Sequence, residues 1–158
     1  MIFPKIGFFF ASVAIVSSGW AAIDLKVFSQ SYWEHYDFVR VSEYFTRKEN
    51  TSNRIILRTQ EESRAGFYFF IEIESNNLAL KASDLSLELK VLDSVSIDAK
   101  NYQFALPIQV FRKGKFLLGL TGEDWPNRKI QPLAWYLRVY SKDGETVAST
   151  QSFLWSHQ

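Results

Sequence analysis

Leu85-Ser86-Leu87-Glu88-Leu89-Lys90-Val91 alternates apolar and polar residues without a break. Side chains on a β-strand point to opposite faces with a period of two, so this stretch reads as a strand with one buried and one solvated face. The same parity continues to Val95 and Ile97, with Asp93-Ser94 as a bend. Upstream, residues 66–75 repeat the pattern: Phe67, Phe69, Ile71 and Ile73 line one face, while Glu72 and Glu74 fall on the other.

Shorter runs extend the reading in both directions. Ile23, Leu25 and Val27 form one, and Ile55 and Leu57 another. Tyr102, Phe104 and Leu106 make a strand that stops at Pro107. Phe116, Leu118 and Leu120 follow, then Leu133, Trp135, Leu137 and Val139 against Tyr136, Arg138 and Tyr140. The last strand is read over 146–155, with Val147, Phe153 and Trp155 on one side.

Turn chemistry separates the runs. Lys142-Asp143-Gly144-Glu145 is the strongest hairpin signal, since Asp-Gly accepts the positive φ values of a type I′ turn. Lys113-Gly114 marks a second hairpin. Residues 42–48 and 76–83 have room for short helical turns. Eight or nine short strands at this spacing, with no βαβ alternation, predict an all-β chain folded as an antiparallel two-sheet sandwich. The expected layout resembles the immunoglobulin fold in architecture only, because the chain has no cysteine and so lacks the Cys…Trp…Cys pattern of antibody domains.

The N-terminal segment reads differently. Met1-Ile2-Phe3-Pro4-Lys5 is modestly positive, residues 6–16 are uncharged and apolar, and Ser17-Ser18-Gly19 precedes Trp20-Ala21-Ala22. Positive start, apolar run and small residues before a cleavage point are the order of a secretory signal. Cleavage after Ala21 places Gly19 at the −3 position, whereas cleavage after Ala22 would place Trp20 there. The expectation is a signal over 1–21 and one β-sandwich domain over 22–158, exported to the periplasm or the exterior. The alternative is an uncleaved segment that tethers the same domain to a membrane. The apolar stretch is shorter than the roughly 20 residues a spanning helix needs.

The full chain carries 18 basic and 17 acidic residues. Lys5 leaves with the signal, so the remainder is neutral and shows no nucleic-acid footprint. The absence of cysteine excludes disulfides, thiolate metal sites and thiol nucleophiles, and leaves stability to an aromatic-rich core.

Candidate chemistry is sparse. His35, between Glu34 and Asp37, is the one histidine away from the C-terminus; His157 is the penultimate residue. One internal imidazole does not supply the three or four converging ligands of a zinc site, and no serine motif marks a nucleophile for it. A small hydrolase using His35 with Asp37 or Glu34 is therefore the least favoured reading. Glu72 and Glu74 lie about 6.5–7 Å apart along one strand, but they read as the solvated partner of an apolar face. Arg47-Lys48 and Arg112-Lys113 with Lys115 read as solvated charge at turns, and Asn50-Thr51-Ser52 fits a glycosylation acceptor.

The loop around Glu123, Asp124 and Trp125 has two readings. It is a ligand loop whose indole stacks on a sugar or peptide, or a turn whose Trp caps the core. Tyr136 and Tyr140 are the candidate exposed aromatics of a carbohydrate-binding module. The sequence therefore points to an exported, non-enzymatic β-sandwich with a binding or structural role at the cell envelope. Its partner would be another envelope protein or a glycan, and no metal or cofactor is implied.

Overall fold

The computed structural model describes residues 23–157, so the signal expected over 1–21 lies outside the described residues. Among the described residues the chain forms eight strands: β1 (Ile23–Trp33), β2 (Ile55–Arg58), β3 (Gly66–Ser75), β4 (Leu85–Asp93), β5 (Lys100–Ala105), β6 (Lys113–Thr121), β7 (Pro132–Ser141) and β8 (Thr146–Gln151). They build two four-stranded sheets. Sheet one has the order β1-β3-β6-β2 and sheet two the order β5-β4-β7-β8. All neighbouring strands are antiparallel except β2, which runs parallel to β6.

The alternating residues build the core between the sheets. Phe69, Ile71, Ile73, Leu118 and Leu120 from sheet one meet Leu87, Leu89, Leu137 and Val139 from sheet two, and all are fully buried. Each such side chain contributes about 1.5–3 kcal/mol of transfer free energy.

Five expectations need correction. Leu133 is exposed and does not share the inner face of Trp135, Leu137 and Val139, because the pairing of β7 with β4 shifts register between Leu92 and Asp93. β4 ends at Asp93, whose Oδ1 accepts from the backbone N–H groups of Val95 and Ser96 at 2.9 and 2.7 Å. That turn breaks the ladder and leaves Val95 and Ile97 solvent-exposed. β8 ends at Gln151, and Phe153–His157 forms a 3-10 turn with Phe153 exposed. Lys113 and Gly114 close no hairpin; they open β6 and pair with Glu74 and Ile73. The Asp143-Gly144 hairpin exists, but only Gly144 has positive φ, at 81°. Its N–H donates to Ser141 O at 2.9 Å, so the turn is type I followed by a left-handed glycine rather than type I′.

Sheet one is also covered on its outer face. The segment between β1 and β2 carries two short helices, α1 (His35–Phe38) and α2 (Val41–Thr46). Phe38 of α1 buries with Tyr68 and Leu117, and Trp33, Ile56 and Phe70 pack around them; α2 buries no side chain. Gly119 lets the Tyr68 ring lie flat on β6, because a Cβ there would stand 2.4 Å from the Tyr68 Cε1. Gly119→Ala is therefore expected to cost about 1–3 kcal/mol through overpacking. Urea unfolding checks this, and a midpoint equal to that of the wild type would refute the packing described.

Candidate functional site

The two long sides of the sandwich differ. On one, edge strands β1 and β8 lie against each other. On the other, β2 and β5 stay apart, and a groove of about 580 Å³ opens between them. Leu57 and Phe104 give it an apolar floor, Ile56 borders it from the outer face of sheet one, and Glu49, Glu61 and Glu62 stand at its rim.

The rim is fixed by the chain leaving β2. Thr59 N–H donates to Gly119 O at 3.0 Å, and the Thr121 N–H donates to Thr59 Oγ1 at 2.9 Å. The buried Thr121 hydroxyl accepts from Gln60 N–H at 3.1 Å and donates to Gln60 O at 2.9 Å. These bonds clamp residues 59–60 to the end of β6 and so hold Glu61 and Glu62 in place.

An ion-pair network supports the groove from behind. Arg58 donates from both terminal nitrogens to Glu49, at 2.8 and 2.7 Å, and from Nε to Tyr68 Oη at 2.9 Å. The Tyr68 hydroxyl donates to Arg64 O at 2.6 Å, and Arg64 donates to Glu43 at 2.7 Å. The Arg58 guanidinium also packs over Phe38, 5.0 Å from the ring centre. The hydrogen bonds from Arg58 hold the Glu49 carboxyl below its ordinary value. Burial pushes the Tyr68 hydroxyl up, against the opposing effect of Arg58. Arg58 and Glu49 thus neutralise each other. Glu61 and Glu62 are exposed and have no ion pair among the described residues, so the groove is net acidic.

The expected ligand loop is placed otherwise than the stacking reading requires. Trp125 is 1 % exposed; its ring packs on Phe67 with centres 5.1 Å apart, and its Nε1 donates to Ile130 O at 3.2 Å. The indole caps the core and offers no free face. Glu123 and Asp124 belong to a 3-10 turn, Gly122–Asp124, which starts at positive φ. Tyr136 and Tyr140 lie half-buried on the outer face of sheet two, away from Trp125. The Tyr136 ring stacks on Trp155 at 5.9 Å and 19°, and Tyr140 carries the Arg138 guanidinium 4.8 Å from its centre. Each ring thus has a protein group on one side.

The remaining candidates are dispersed. His35 and Trp125 share the lining of a smaller cleft of about 310 Å³, but the Asp37 carboxylate accepts from the Glu34 N–H at 2.7 Å and caps α1. Glu72 and Glu74 face Lys115 and Lys113 across the outer surface of sheet one, at 4.0 and 3.6 Å. Asn50 is exposed, with its amide nitrogen donating to Ser42 Oγ at 2.8 Å. Among the described residues no three His, Asp or Glu side chains converge as metal ligands, and no helix is long and apolar enough to cross a membrane.

Sequence reasoning missed Arg58, Glu49 and the groove. The unbroken apolar run Phe67-Tyr68-Phe69-Phe70-Ile71 marks a strand buried on both faces and so signals the layer outside sheet one, but not the groove. No family model matches the chain, and no curated protein matches it significantly.

Proposed function

We propose that the protein is an exported, non-enzymatic β-sandwich that binds another envelope protein through the groove between β2 and β5. The observation that carries this reading is the asymmetry of the sandwich: one side closes with β1 on β8, while the other stays open over an apolar floor with unneutralised Glu61 and Glu62. Export is supported by the order of charge, apolar run and small residues over 1–21.

An immunoglobulin-like layout has support in the strand order. With β2 set aside, the first, second and fifth strands share one sheet, and the third, sixth and seventh share the other. The fourth, β5, joins the third, and β2 takes the free place beside β6. A glycan-binding reading has Tyr136 and Tyr140 in its favour, but the stacking of Trp155 and Arg138 on those rings favours the protein partner.

The test is made in the native host. Glu61→Lys with Glu62→Lys should abolish co-purification of the partner from the envelope fraction, while Lys113→Ala with Lys115→Ala leaves it intact. N-terminal sequencing of the same material should begin at Ala22. Equal recovery with both double variants would reject the groove, and a chain beginning at Met1 would reject cleavage.

A further inference from the structure

The open side has a free strand edge as well as a cavity. We infer that the partner enters as an extended, basic segment that adds to sheet two as a fifth strand alongside β5; this deepens the groove reading above and rests on it.

The four sheet edges are not equivalent. Exposed edges of natural sheets are blunted by bulges, proline, charge or a covering element. β1 has a register shift at Phe28 and lies against β8, which has a shift of its own where it pairs with β7. β2 is four residues long and ends in Arg58. Among the described residues β5 has none of these protections. Its pairing with β4 runs from Ser86–Ala105 to Val91–Lys100 without a shift, and its interior, Asn101-Tyr102-Gln103-Phe104, contains no proline and no charge. The one charge on the strand, Lys100, is drawn back onto Asp93 at 2.9 Å. The outer edge of β5 is therefore regular and unguarded.

The surroundings specify what would pair there. Main-chain hydrogen bonds to a free edge give affinity, and the alternate side chains of the added strand give specificity. Side chains pointing inward from a strand beside β5 would meet Leu57 and Phe104, which calls for small apolar residues at every second position. Glu61 and Glu62 at the rim call for lysine or arginine near them. A second copy of the chain is the poorer occupant, because pairing β5 with β5 would bring two acidic rims to one groove.

The probe is a short synthetic peptide with a valine–threonine alternation between lysine pairs. It is compared with the same peptide flanked by glutamates, and with the lysine peptide N-methylated at two adjacent central residues so that both of its edges are blocked. The lysine peptide should bind about tenfold or more tightly than the glutamate peptide. It should slow backbone amide exchange within Asn101–Ala105, and the methylated peptide should do neither. Glu61→Lys with Glu62→Lys should weaken the lysine peptide to the level of the glutamate one. Equal binding of the two charge forms, protection confined to another strand, or a dimer that protects β5 without peptide would each overturn the inference. Unprotected β5 amides together with partner recovery that still depends on Glu61 and Glu62 would reject strand addition and keep the groove. Partner recovery indifferent to those two carboxylates would reject the groove itself.

Discussion

Trp125→Ala lowers the unfolding free energy by about 3–5 kcal/mol, the range for deleting a large aromatic from a packed core. The indole is 1 % exposed, lies against Phe67 and ties its N–H to Ile130 O. Truncation opens a cavity between the sheets and orphans that carbonyl. Trp125→Phe keeps part of the volume but loses the donor, and should cost about 1–2 kcal/mol. Urea titration monitored by circular dichroism measures both. A loss below about 1 kcal/mol for the alanine variant would mean that the ring faces solvent, as a stacking ligand loop requires.

Arg138→Ala is the second large effect, about 2–3 kcal/mol at pH 7. Removing one member of a buried ion pair leaves its partner's charge uncompensated. Glu88 is 3 % exposed and accepts from Arg138 Nε and from Asn101 Nδ2, the latter at 2.7 Å. The cost falls below the roughly 3–5 kcal/mol of a fully buried pair because Asn101 still donates to Glu88 and Arg138 is partly exposed. Burial opposes ionisation of Glu88, but the hydrogen bonds from Asn101 and Arg138 outweigh it and hold the carboxyl below its ordinary value of 4.5. A group with a depressed folded pKa stabilises the fold fully above its unfolded value and loses that contribution as the pH falls through the folded one. The wild type should therefore lose stability below about pH 4.5. The Arg138→Ala penalty should shrink over the same range, because a protonated Glu88 no longer needs the cation. Unfolding free energies of the two proteins at neutral and acidic pH check the sign; a constant difference would refute the pairing.

Sheet two was largely legible in the sequence, because the inward residues of Leu85–Val91 and Trp135–Val139 keep the period of two; it fails at Leu133, which is exposed where the pairing of β7 with β4 shifts register. Where a side chain bonds to the backbone, periodicity fails. Asp93 ends β4 by capturing two amides, so the matching parity of Val95 and Ile97 carries no structure. Sheet one was half legible. Phe67, Phe69, Ile71 and Ile73 declared the inner face, but Tyr68 and Phe70 belong to a second apolar layer under Phe38 of α1. The candidate site was the least legible. Arg58 meets Glu49 across a loop, Phe104 lies across from Leu57, and the groove they border exists only because β2 joins β6 in parallel and leaves β5 uncovered. None of those relations has a local pattern. For Trp125 the sequence left two readings, a stacking loop and a cap on the core, and the packing on Phe67 is that of the cap.

In the function proposed above, the open side between β2 and β5 receives the partner. A photo-activated cross-linking residue placed at Ala105, on the groove, and separately at Ser149, on the closed side, tests it in the native host. One discrete cross-linked species is expected from Ala105, lost in Glu61→Lys with Glu62→Lys, and none from Ser149. Cross-linking from Ser149 with none from Ala105 would contradict it.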